Sequence, residues 1–168
     1  MPAREQPAAL MLVTDPVAIE AVDPLHPHAL MLLGEAAVEA RALYPELFAT
    51  DTPAPTNLPL RPRECYLVAR REGRVIGCGA LRRFDDATGE VHRMFVTRPA
   101  RRAGVARALL GALESYARTF GYRRLVLETG ARQRPAIALY RSAGWERIAA
   151  YGPHAGDPGC ACFGKTLP

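Results

Sequence analysis

Two groups of residues in this sequence have types and spacing that could do chemistry. The first is the run Arg98-Pro99-Ala100-Arg101-Arg102-Ala103-Gly104-Val105-Ala106-Arg107. The strand-like segment Arg93-Met94-Phe95-Val96 ends just before it, and a helical period begins inside it. A helix N-terminus carries N–H groups with no intrahelical acceptor and the positive end of the helix dipole. Gly104 lets the main chain approach a ligand closely, and the small Ala103 and Ala106 leave that face open. Arg98, Arg101, Arg102 and Arg107 add guanidinium forks that suit phosphate oxygens. The chemistry implied is capture of a phosphate or diphosphate on main-chain amides. No Gly-Lys-Ser/Thr follows, so this is not a Walker loop, and the glycine spacing is not that of a dinucleotide fingerprint.

The second group can move protons. Glu90 and His92 alternate onto one face of a strand. Glu128 ends another strand, and Tyr140 sits in a later helix. Tyr151, His154 and Asp157 fall in or beside a Gly/Pro loop before the last strand. Each has an ordinary structural reading beside the functional one. Glu90 could be a solvated carboxylate at a turn, His92 a satisfied structural histidine, Tyr140 a packed aromatic, and the loop a plain surface. The cysteines are Cys65, Cys78, Cys160 and Cys162. None forms a C-x-x-C pair, and Cys160-x-Cys162 has no matching Cys or His pair elsewhere, so no metal site is expected. Free thiols in a reducing compartment are the expectation.

The elements that must position these groups follow from periodicity and breakers. Residues 1–16 are Pro/Ala-rich with weak periodicity and read as a frayed start. Residues 17–22 suit a first strand. Helical spacing over 28–43 predicts a helix stopped near Tyr44-Pro45. Residues 49–63 hold four prolines and predict a long loop that either borders an acceptor pocket or merely links elements. Strands are expected at 64–71, 74–84 and 90–97, joined by Glu72-Gly73 and a turn at 85–89 into an antiparallel meander. A helix over 103–120 should bury Val105, Leu109, Leu113 or Ala112, Tyr116 and Phe120. A strand at 124–128 completes a βαβ crossover and hence a parallel pair. A helix at 135–142, a strand at 145–151 and a strand at 160–166 finish the chain.

In this setting the sequence resembles the GNAT superfamily of N-acetyltransferases. Arg101-Arg102-Ala103-Gly104-Val105-Ala106 matches the family's Arg/Gln-x-x-Gly-x-Gly/Ala signature at a strand-to-helix junction. Ala136-Ile137-Ala138-Leu139-Tyr140-Arg141-Ser142-Ala143-Gly144-Trp145 matches its Ala-x-x-Leu-Tyr-x-x-x-Gly-Phe block. The match covers residues 64–166, and the earlier part agrees only in element order. The resemblance implies one mixed α+β domain spanning 1–168. It implies a largely antiparallel sheet of about seven strands, flanking helices and a central parallel pair that splays apart. It implies acetyl-coenzyme A as co-substrate, with pantetheine along Met94, Phe95 and Val96. The diphosphate would lie on Arg102, Ala103, Gly104, Val105, Ala106 and Arg107. Tyr140 would act as acid to the departing thiolate. Gln133 stands where many relatives carry Asn, which keeps an amide but changes its reach. Glu90 is the first choice for general base, possibly through a water, with Glu128 as competitor. The acceptor would be a primary amine of a small molecule, amino acid or peptide, attacking directly in a ternary complex. A homodimer through the last strands is compatible with this.

Composition sets the outer bounds. A formal charge of +5 is modestly basic, and the arginines lack the long run with interleaved aromatics expected for nucleic-acid binding. No apolar run reaches the ~20 residues of a membrane span, and no signal peptide is evident, so a cytoplasmic location is expected. The rival reading is a non-catalytic acyl-CoA-binding domain of the same fold.

Overall fold

A computed structural model describes residues 16–168; the expected frayed start lies almost wholly outside them. The element order is β1 (Ala18–Ala21), α1 (Pro27–Leu43), β2 (Cys65–Arg71), β3 (Arg74–Arg83), β4 (Thr88–Val96), α2 (Val105–Thr119), β5 (Arg124–Gly130), α3 (Arg134–Ser142), β6 (Glu146–Ile148) and β7 (Cys160–Thr166). The described strands form one seven-stranded sheet in the order β1-β2-β3-β4-β5-β7-β6. Only the β4–β5 contact is parallel among them. The mixed sheet with a central parallel pair is therefore as expected.

Local chemistry explains the joints. Glu72 and Gly73 both take positive φ (50° and 74°), as a type I′ hairpin turn requires. Alternation along β2 sends Cys65, Leu67 and Ala69 to one face, under α2 and α3, and Tyr66 and Val68 to the other, under α1. α2 buries Val105, Leu109, Leu110, Leu113 and Ala117, while Tyr116 and Phe120 are only partly covered. The buried stripe thus lies slightly round the helix from the expected one. α3 ends in a Schellman motif. Gly144 has φ 82°, its N–H donates to Arg141 O, and the Trp145 N–H donates to Tyr140 O. Trp145 consequently belongs to the cap, and the last-but-one strand covers only Glu146–Ile148 instead of 145–151. Gly152 and Pro153 then enter a 3₁₀ turn, which ends any extension past Tyr151.

Candidate active site

The parallel pairing runs from Thr88↔Arg124 to Val91↔Leu127 and stops. Beyond it β4 stays on β3 as far as Val96↔Gly77, while β5 stays on β7 as far as Gly130↔Cys160. The two strands part, and a cleft of about 280 Å³ opens between them. Glu90, His92, Met94, Glu128, Tyr140 and His154 line it.

A bulge shapes the β4 wall. Cys78 faces Phe95 and Ala80 faces His92, so Arg93 and Met94 together oppose Gly79, and Arg93 takes φ 58°. The Cys78 thiol donates to the Arg93 carbonyl at 3.2 Å. The Arg93 guanidinium donates to Asn57 Oδ1 (3.1 Å) and Thr56 O (3.2 Å), and buried Asn57 donates to Pro24 O (2.9 Å). The long 49–63 loop therefore braces the bulge from behind. Past the bulge, Thr97 N–H bonds Ile76 O on β3. By strand alternation Val96 and Met94 turn their own N–H groups toward the cleft.

At the far end of β4, Gly104 has φ 78° and ψ 6° and caps α2 without any side-chain bond. Arg102 also has positive φ, 60°. The first α2 amide to find an acceptor is that of Ala108, on Gly104 O. The amides of Arg102, Ala103, Gly104, Val105, Ala106 and Arg107 find none among the described residues. Such a run, at the positive end of a helix of 15 residues, fits an anion. A Cβ at Gly104 would meet nothing within 4 Å, so the glycine is needed for its dihedral angle and not for space. The Arg101 side chain is turned elsewhere. It donates to Val96 O (2.9 Å) and to Glu39 of α1 (2.6 Å), which also takes Arg98. Arg101 and Arg98 thus fasten the end of β4 to α1. Arg107 reaches Ser142 Oγ on α3 at 2.6 Å. Gln133 stands at the N-cap of α3 and makes no side-chain cap bond.

Tyr140 is 4% exposed, packed against Trp145 and Phe163. It lines the cleft, and its hydroxyl takes part in no hydrogen bond among the described residues. Burial, and then the nearby Glu128 charge, push its pKa up to about 12. Glu90 is saturated. Its Oε1 accepts from the Tyr151 hydroxyl at 2.7 Å and its Oε2 meets His92 Nε2 at 2.9 Å. Burial would raise the Glu90 pKa, but the bonds from His92 and Tyr151 outweigh it and hold the carboxyl below its ordinary value. The same contact, with burial, raises Tyr151 strongly. Sequence spacing placed Glu90 and His92 on one face; the Tyr151 bond, across 61 residues, had no sequence signal.

Opposite, the 152–159 loop folds back so that His154, Cys160 and Glu128 offer ligand atoms within 4.8 Å of one another. Burial and the Glu128 and Asp157 carboxylates push the Cys160 pKa up to about 12. The sequence reading, from cysteine spacing and the lack of a matching Cys or His pair, could not place a carboxylate from β5 beside Cys160.

The family model described as "Acetyltransferase (GNAT) family" matches residues 34–145, more than half of the chain. An IAA acetyltransferase of Azospirillum brasilense is 44% identical over 99 residues, covering 58% of this chain and 65% of that protein. Human N-acetyltransferase 8 is 36% identical over 88 residues, covering 49% and 39%. The chain thus spans less than two thirds of the length of these curated relatives. A crystal structure of a candidate acyl-CoA N-acyltransferase from Klebsiella pneumoniae superposes with TM-score 0.74 at 29% identity, covering 90% of this chain and 98% of that one. The splayed sheet, the unpaired amides ahead of α2 and these matches agree: the chain belongs to the acetyltransferase (GNAT) family.

Proposed function

We propose that this protein is an acetyl-CoA-dependent N-acetyltransferase that acts on a primary amine of a small molecule, amino acid or peptide. Acetyl-CoA supplies an activated acyl group as a thioester. One observation carries the reading: six consecutive amides, 102–107, lack acceptors where the β4–β5 cleft opens. Those amides hold the diphosphate. The Met94 and Val96 main chain, together with Phe95, pairs with the pantetheine arm, and a Val96-side N–H polarises the carbonyl. Gln133 completes the cofactor side, with Arg101 contributing its backbone position and the lock on Val96 O.

The Tyr140 hydroxyl, free and neutral with a pKa of about 12, donates a hydrogen bond to the developing thiolate. On the other wall, the ionised Glu90 carboxylate draws the ammonium form of the acceptor and orients His92. An alkyl ammonium has a pKa near ~10. A carboxylate that His92 and Tyr151 hold in its ionised form is a weak acceptor for that proton. The proton therefore leaves through the Glu90–His92 pair to solvent, where the half-exposed His92 ring opens. The amine attacks directly in a ternary complex, since Cys65, Cys78 and Cys162 are buried and no Cys–His–carboxylate set resembling a nucleophile relay is expected from the sequence.

We assign the whole of residues 1–168 to this one domain, active in the cytoplasm. No described helix is long and apolar enough to cross a membrane. The test is release of free coenzyme A thiol across a panel of amines and peptides, with IAA included because a relative bears that name. Turnover with at least one primary amine is expected. Binding of acetyl-CoA with no transfer to any panel member contradicts the reading.

A further inference from the structure

We propose that Cys160, His154 and Glu128, with Asp157 beside them, form a binding site for a divalent transition ion of the zinc class at the acceptor end of the cleft. The donor set is one thiol, one imidazole and one carboxylate, with all three ligand atoms within 4.8 Å of one another. Cys160 Sγ lies 3.6 Å from His154 Nδ1 and 3.3 Å from Asp157 Oδ2. His154 Nε2 lies 3.9 Å from Glu128 Oε2. Around tetrahedral zinc, with bonds of about 2.3 Å to sulfur and 2.0 Å to nitrogen, neighbouring ligand atoms sit about 3.5 Å apart. The Cys160 Sγ to His154 Nδ1 edge already has about that length. An ion takes one ring nitrogen only, so the 3.9 Å contact of Nε2 with Glu128 is not an edge of the same site. The Glu128 edges, within 4.8 Å, close by side-chain movement.

The fold makes the donors converge. Gly130↔Cys160 and Glu128↔Cys162 put the thiol and the carboxylate near each other across the β5–β7 ladder. The 3₁₀ turn Gly152–His154 then brings the imidazole back over them, and Asp157 is pinned by the Gly159 N–H on its other oxygen at 2.8 Å. A mixed S/N/O set selects zinc or cobalt over magnesium or calcium, which take oxygen alone. Binding breaks the S–H bond; the thiolate electron pair goes to the ion and the proton to solvent. Of the four cysteines, Cys65, Cys78 and Cys162 are buried, so Cys160 is the accessible thiol.

Glu128 and His154 also line the cleft. An ion there draws both away from an incoming amine and places positive charge in its path. If the transferase reading holds, occupancy competes with the acceptor and leaves acetyl-CoA binding intact.

The test is a titration of the full chain, reduced and free of thiol reagents, with cobalt(II) as the probe. One equivalent should bind with a near-ultraviolet thiolate-to-metal band and visible tetrahedral bands, and zinc should displace it. Cys160→Ser should abolish the charge-transfer band, and His154→Ala should weaken binding by about tenfold or more. Far-ultraviolet dichroism checks that both variants are folded. No band in folded wild-type protein, or a band that survives in Cys160→Ser, overturns the site. This arm needs no turnover, so its failure is distinct from failure of the transferase reading. In the activity assay, zinc should raise the amine KM of the wild type but not of Cys160→Ser; equal inhibition of both also overturns the site.

Discussion

Two polar clusters in this molecule contrast sharply. One, between α2, α3 and β7, is closed. Buried Glu114 accepts from Trp145 Nε1 (3.1 Å) and takes Lys165 Nζ on both oxygens (3.1 and 3.0 Å). Lys165 also donates to the Ala143 carbonyl at the end of α3 (2.8 Å). Lys165 is the chain's one lysine, and here it pins helix ends to the sheet. Other groups are left open: the Tyr140 hydroxyl, on the cleft wall, and the 102–107 amides, at the largely exposed start of α2, have no partner among the described residues. Buried polar groups are normally satisfied within the protein. Where they are satisfied, they hold elements together; where they are spare and face a cleft, they are available to a ligand. Mutations should therefore separate stability from activity along this divide.

The largest effect is expected on the open side. Tyr140→Phe removes one hydroxyl with no internal partner, so kcat should fall by about a hundredfold to a thousandfold. Thermal stability and coenzyme A affinity should hardly change. A variant with unchanged kcat would deny Tyr140 its place. On the closed side, Glu114→Ala leaves Lys165 without its carboxylate partner and the buried Trp145 N–H without an acceptor. It should cost about 3 kcal/mol in urea unfolding, the scale for breaking a buried pair, while coenzyme A affinity in the folded fraction is kept. Between the two lies Gly104→Ala. A left-handed φ costs an alanine about 1–2 kcal/mol, and relaxing that angle turns adjacent amides away from the anion. Calorimetry should show coenzyme A affinity reduced by about tenfold, since a bond to a charged group is worth about 1.5–3 kcal/mol.

The smallest effect is a pH effect far from the cleft. Burial raises the Glu64 pKa, but bonds from the Arg61 N–H, the Arg82 guanidinium and the Arg83 N–H outweigh it and hold it below its ordinary value. A carboxyl with a depressed folded-state pKa adds stability above its unfolded pKa and loses it as pH falls through the folded one. Glu64→Gln should therefore be about 1 kcal/mol less stable than wild type at pH 7. The two unfolding midpoints should converge as pH falls through the depressed folded-state pKa of Glu64. A gap that stays constant would show that shape, not charge, matters there.

The fold was legible wherever local chemistry decides it. The Glu72-Gly73 turn, the stop at Tyr44-Pro45 and the period change at Val105 are all written in adjacent residues. β6 was overcounted because Trp145 reads as a strand former, although its N–H closes the α3 cap instead. The anion cradle could be read from Gly104 and its neighbours, but the aim of the Arg101 fork could not. That depends on Glu39, some 62 residues away. Likewise, Tyr151 on Glu90, Asn57 on Arg93 and the His154–Cys160–Glu128 cluster are made by topology. Long-range pairs leave no periodic trace, so they emerge only once the sheet order is known.

In the proposed cofactor site, the main-chain amides of residues 102–107 hold the diphosphate. Backbone ¹⁵N–¹H spectra during a coenzyme A titration test it most directly. The amide signals of residues 102–107 should move together and saturably, joined by Met94 and Val96, with the Glu114–Lys165 region still. Saturable binding that leaves the 102–107 amides in place, or no binding at all, would contradict it.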